Sequence, residues 1–254
     1  MFDVKGSETS KVSVIDIGTT NDKLQGLIIK YAKYQEINMD IIRLPIVKGI
    51  TPTILNGTDR YAYGLSDFTD SWELKDWQEH GGYQGAVLYL YDLRDNKVYV
   101  PFQKKKNVTY QMPLFCEDMI YFLQVDYDER KVNLYRVSPN IALEKIADLS
   151  IDEVNLYNIG LTGEGVHITS QDESFVCYYP ESFEIKLEPN ENVLCIDGDK
   201  IYISAWIEEG IEKDEITNDY SYDEKILIKD KAGNLISEEV GALTQFPDGK
   251  WRIS

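Results

Sequence analysis

The residues best suited to chemistry in this chain lie in two long polar segments between strand-like runs. The first, 66–83, brings together Asp67, Asp70, Trp72, Trp77, His80 and Tyr83. Aromatic faces beside carboxylates suit sugar rings, cationic groups or a protein hot spot. The structural alternative is that Trp72 and Trp77 plug the segment back onto the body of the protein. The second segment, 208–222, sets Tyr220 and Tyr222 in an acidic run, which reads more readily as a solvated or mobile acidic hairpin than as a site. Long insertions on one end of a repeated scaffold are a common way of carrying function.

Other chemistries have less material to work with. The two histidines are His80 and His167. His167 sits inside a strand-like run, where packing or a hydrogen bond within a sheet is expected, so a Ser-His-Asp arrangement is poorly supplied. Cys116, Cys177 and Cys195 show no metal-ligand spacing and lie in or beside apolar runs, which predicts buried free thiols. The acidic stretches 126–129 and 214–223 lack the alternating pattern of a calcium loop, and solvated turns are expected there. No cofactor or metal is expected. Lys104-Lys-Lys106 reads as a solvated turn. Asp16, Asp59, Glu117, Asp118 and Asp199, near strand entries, are the candidates for a catalytic carboxylate pair, although turn formation is the default role of such residues there.

Charge narrows the partners. The chain has 254 residues, with 26 basic and 44 acidic side chains and a formal net charge of −18. Such a surface repels phosphate backbones and anionic lipid, so nucleic-acid and membrane-surface roles are disfavoured. No run of about 18 apolar residues is present, and no membrane insertion is expected. A monomer is expected. If Met1 is the native start the protein is expected in the cytoplasm; if a leader precedes it, the protein is exported or at the cell surface. The polar opening, 1–10, reads as a tail and 11–254 as the folded domain.

The elements that must position these residues are strands. Helical periodicity is nearly absent, and only 67–79 allows a short helical turn. Elsewhere apolar and polar residues alternate, or short apolar runs end at Gly, Asn, Asp or Pro. A loose repeat recurs every ~40 to 60 residues. Its first runs are 59–65, 118–124, 165–170, 199–204 and 248–253. Its second runs are Ala86-Val-Leu-Tyr-Leu-Tyr-Asp92, Lys131-Val-Asn-Leu-Tyr-Arg-Val137, Ser174-Phe-Val-Cys-Tyr-Tyr179 and Glu224-Lys-Ile-Leu-Ile-Lys229, with a weaker copy at 27–31. Third runs lie at 97–101, 143–147, 183–187 and 235–240.

This pattern resembles the β-propeller superfold, with no Trp-Asp, kelch or Asp-box signature to name a family within it. The resemblance implies an all-β chain with about five four-stranded blades. Blades are expected near 49–105, 106–150, 151–190 and 191–241. A composite blade would close the ring by pairing N- and C-terminal strands, because the chain stops after a first-type run and begins with second- and third-type runs. A sixth blade within 11–60 and an open β-solenoid are the alternatives.

In a propeller the two long segments would emerge on one face. Non-catalytic recognition of a protein or carbohydrate there is the expected function, with Trp72, Trp77, Tyr83, Tyr220 and Tyr222 as anchors. Five-bladed glycosidases use two carboxylates in the central channel, so a glycan-processing enzyme is the alternative. Separately, Ile15-Asp-Ile-Gly-Thr-Thr-Asn21 with Lys23 resembles the first phosphate motif of the actin-like ATPase and sugar-kinase superfamily. No second phosphate motif or adenosine motif accompanies it, and an ordinary hairpin turn is expected.

Overall fold

A computed structural model describes residues 43–138, 142–212 and 215–254. The weaker repeat copy at 27–31, the Asp16 motif, the polar tail and the N-terminal half of the composite blade lie outside the described residues. Within them the chain is all-β, apart from one short helical segment.

The strands form successive antiparallel sheets in chain order. The first sheet runs β1 (Thr53–Ile54), β2 (Tyr61–Leu65), β3 (Leu88–Asp92) and β4 (Lys97–Tyr99). The 3-10 turn Ser71–Glu73 and helix α1 (Leu74–Glu79) occupy the β2–β3 connection. In the second sheet the leading strand is split: β5 (Val108–Tyr110) and β6 (Leu114–Cys116) pair with successive halves of β7 (Met119–Asp126). That sheet continues through β8 (Lys131–Val137) and β9 (Leu143–Ser150). The third comprises β10 (Gly160–Thr162), β11 (His167–Gln171), β12 (Ser174–Tyr179) and β13 (Phe183–Lys186). The fourth comprises β14 (Glu191–Asp197), β15 (Lys200–Glu212), β16 (Glu215–Asp230) and β17 (Leu235–Val240). A final hairpin pairs β18 (Leu243–Gln245) with β19 (Trp251–Ile253).

The sheets fall within the four expected repeat ranges, but the numbering inside each repeat shifts. The expected first, second and third runs are the second, third and fourth strands. The true leading strands are two or three residues long in four of the five sheets, counting the two halves of the split strand separately. Such lengths carry too little alternation to register as strands.

Turn chemistry explains the tight reversals. Glu117 and Asp118 have φ of 50° and 59° between the paired residues Cys116 and Met119. Two left-handed residues between paired strands match the right-handed strand twist. Asp199 follows Gly198 (φ 58°) in the corresponding turn between Asp197 and Lys200. These acids are turn residues, as expected of them.

Two buried clusters join the four larger sheets in chain order. Leu90 of the first sheet, Phe122, Leu123 and Leu134 of the second and Ile168 of the third belong to one buried cluster. Phe175 and Ile185 of the third sheet join Ile196, Ile201 and Ile203 of the fourth in another. Strand β7 is buried along nearly its whole length, as a strand covered on both faces must be. The thiols of Cys116, Cys177 and Cys195 are free and buried, and burial pushes all three up.

The last hairpin reaches back to earlier sheets. The Gln245 side chain lies against Gly57, in the β1–β2 turn. The Trp251 indole N–H and the Gln245 amide both donate to Glu164, in the β10–β11 turn. A cavity of about 520 Å³ is lined from all five sheets, including Thr53, Leu114, Gly160, Leu194 and Gln245.

Candidate functional site

The β2–β3 connection is built as a pinned arch. Its first anchor is Asp67, whose carboxylate accepts from the Thr69 N–H (2.8 Å) and hydroxyl (2.6 Å). Burial opposes ionisation of Asp67, but the two Thr69 bonds outweigh it and hold its pKa below the usual carboxylate value. Next, Thr69 O accepts from the Thr109 hydroxyl at 3.1 Å, and Ser71 accepts from the Gln111 amide. Thr109 is the middle residue of β5 and Gln111 follows its end. Leu74, 1% exposed, is driven into the core from the helix. On the far side, Tyr83 and Asn107 bond reciprocally: Tyr83 N–H to Asn107 Oδ1 (2.8 Å) and Asn107 N–H to Tyr83 O (2.9 Å).

Gly85 completes the anchorage. Its φ is +88°, and a Cβ there would stand 1.9 Å from the Lys105 carbonyl oxygen. Glycine is required on both counts. Lys105 is not the solvated turn residue expected. Its ammonium bonds Asp126 (2.5 Å) and Glu129 (2.9 Å), and these two carboxylates raise its pKa.

The plug of the arch is therefore Leu74, with Tyr83, and not the two indoles. Trp72 and Trp77 are each 41% exposed. They line a shallow cleft of about 290 Å³ with Glu73, Asp76 and His80. These five residues recur at helical spacing along one side of the 71–80 segment. Each indole is steadied from behind, Trp72 by Tyr157 (ring centroids 6.1 Å apart) and Trp77 by Tyr83 (5.9 Å). His80 Nδ1 lies 2.8 Å from the Asp76 carbonyl oxygen, which turns its ring back onto the helix. The Tyr83 hydroxyl is buried without a hydrogen-bond partner of normal geometry, and burial first, then nearby Asp67, raises its pKa.

The remaining expected site residues are elsewhere. Asp70 precedes the 3-10 turn and faces the central cavity, not the indole cleft. Tyr220 and Tyr222 lie on the fourth sheet. Within 208–212 and 215–222 the segment is paired strand, as the hairpin reading has it: β15 and β16 continue as a two-stranded ribbon beyond their neighbours, with Glu208 opposite Tyr222 and Trp206 opposite Glu224. Polar and acidic residues on both faces concealed it, because cross-strand pairing there rests on contacts such as Tyr220 Oη donating to Glu208 (2.9 Å) and not on apolar alternation. Trp206, 37% exposed, shares the ribbon's aromatic face and was not singled out from sequence.

Two of the candidate carboxylates, Asp59 and Asp118, line a separate cavity of about 460 Å³ with Asp248, Arg60 and Arg94. Asp59, Glu117, Asp118 and Asp199 are absent from the wall of the cavity lined from all five sheets, whose one carboxylate among the described residues is Asp70. Asp16 lies outside the described residues. Glycosidase chemistry needs two carboxylates flanking one bond. His167 is buried in β11 with Nδ1 3.2 Å from the Thr162 carbonyl oxygen, and burial lowers its pKa. Among the described residues no group of three or more His, Cys, Asp or Glu could hold a metal ion, and no helix is long and apolar enough to cross a membrane.

No protein-family model matches this chain, and no curated protein matches it. Among solved structures, the crystal structure of Porphyromonas gingivalis dipeptidyl peptidase 4 is similar over 76% of this chain and 32% of that one, at 10% identity and a TM-score of 0.37. This chain thus spans less than half of that protein, and a likeness at this level carries no argument about fold family or activity.

Proposed function

We propose that the successive sheets are blades of a β-propeller, and that the chain is a non-catalytic recognition protein. Its ligand, a carbohydrate or a protein, would bind at the face bearing the β2–β3 arch. Two features support the circular arrangement: buried clusters that join the four larger sheets in chain order, and a cavity lined by all five.

One observation carries the functional reading. The arch is fastened by Leu74, Tyr83, Thr69, Ser71 and Gly85, yet it holds two indoles open to solvent on a common cleft. Exposed tryptophans on an ordered scaffold lose little side-chain entropy on binding and supply large contact area. The glycosidase alternative would need a second carboxylate beside Asp70.

A glycan array and a proteome pull-down, each comparing wild type with Trp72→Ala/Trp77→Ala, test the reading. Capture by wild type that disappears in the variant supports it. Capture that persists unchanged in the variant contradicts it.

A further inference from the structure

We infer that the central cavity is a second binding site, separate from the indole cleft, and that it takes a small organic cation carrying an ammonium group. The cavity's volume of about 520 Å³ lies within the range of about 300–1,000 Å³ occupied by small-molecule sites. Its wall contains no Lys, Arg or His among the described residues, and one carboxylate, Asp70. No salt bridge or side-chain hydrogen bond engages that carboxylate within them.

The amides on the wall are polarised in the same sense. Gln111 donates its amide N–H to Ser71, Asn158 donates to Gln171 O (3.1 Å), and Gln245 donates to Glu164 and Gly249 O. Each thereby commits at least one N–H to the protein and leaves its carbonyl oxygen without a partner among the described residues, while Gln111 and Asn158 each keep a second N–H. Asn56 adds an amide and Tyr63 a hydroxyl. The wall is rich in acceptors and carries one unneutralised negative charge. A ligand that satisfies it must bring donors and, to complement Asp70, a positive charge. An ammonium has three donors and no acceptor, and the wall includes two aromatic side chains, Trp251 and Tyr63, of the kind that attracts cations. The net charge of −18 raises the local concentration of such ligands and repels anions.

The test is titration calorimetry on the full chain with glucosamine and putrescine, against glucose and N-acetylglucosamine as neutral counterparts. The expected result is saturable binding of at least one amine at about millimolar affinity or better, with each neutral compound at least about tenfold weaker. Asp70→Asn is expected to weaken amine binding by about tenfold or more, because it removes a charge-assisted hydrogen bond. Trp72→Ala/Trp77→Ala is expected to leave it unchanged, which separates this site from the cleft. Glucose binding as tightly as glucosamine would overturn the inference. So would amine binding that is insensitive to Asp70→Asn, or no saturation by either amine up to about 10 mM.

Discussion

Replacing Leu74 by Ala should unfasten the arch, and its cost can be set against the cost of removing either indole. Leu74 is 1% exposed and belongs to the main core cluster, so truncation removes roughly three buried carbon groups. At about 0.8 kcal/mol each this gives about 2.4 kcal/mol before any cavity is counted. Buried Leu→Ala changes span about 2–5 kcal/mol, and a six-residue helix on a surface arch can settle into part of the space. We expect about 2–3 kcal/mol. Trp72→Ala removes a ring that is 41% exposed and packs at a tilt against Tyr157. It should cost about 1 kcal/mol, partly offset by the better helix propensity of Ala. Urea unfolding with a shared m-value reads the differences as shifts in midpoint. The reasoning fails if Trp72→Ala or Trp77→Ala alone costs as much as Leu74→Ala. The indoles would then be the plug, and their exposure would carry no functional meaning.

Other outcomes follow from the same geometry. Gly85→Ala puts a Cβ onto the Lys105 carbonyl at a positive φ and should cost at least about 3 kcal/mol; a loss under about 1 kcal/mol in urea unfolding would contradict that contact. Lys105→Met leaves the buried Asp126 carboxylate without its ammonium, and because the lysine is about half exposed the expected cost is about 1–3 kcal/mol, read the same way. His167 has a folded pKa below its ordinary value of 6.5 because of burial, so the unfolded chain binds the proton more tightly. Its contribution is therefore complete above about pH 6.5 and declines as pH falls through that value toward the lower folded pKa. His167→Asn should flatten this part of the stability–pH curve, and an unchanged slope would show that other groups produce it.

Much of the framework was legible because half-buried strands alternate. Lys131–Val137 and Ser174–Tyr179 declared themselves by period and by their Asp, Asn or Gly boundaries, as did the outer strands Phe183–Lys186 and Leu235–Val240. Leading strands as short as Thr53–Ile54 and Gly160–Thr162 did not, because their pairing is dictated by the neighbouring strand and not by their own pattern. The arch was visible as a concentration of aromatics and acids. Its fastening was not: Leu74 sits among polar residues, and what buries it is the tertiary path of β5. The cavity was the least readable feature, since Asn56, Gln111, Asn158 and Gln245 are unremarkable singly and meet only when five sheets are assembled. The ribbon reads from sequence as a long connection or an acidic hairpin, because acids and tyrosines replace the apolar residues that normally mark a strand, and the paired strands agree with the hairpin.

The most direct test of the central claim is hydroxyl-radical footprinting of the protein with the ligand captured by pull-down or array. The four tryptophans and the exposed tyrosines report on separate regions: Trp72 and Trp77 on the cleft, Trp251 on the cavity, and Trp206, Tyr220 and Tyr222 on the ribbon. Recognition through the arch predicts that bound ligand protects Trp72 and Trp77 while the ribbon aromatics keep their reactivity. Protection of the ribbon with Trp72 and Trp77 still reactive would contradict the account and move the recognition surface to the fourth sheet.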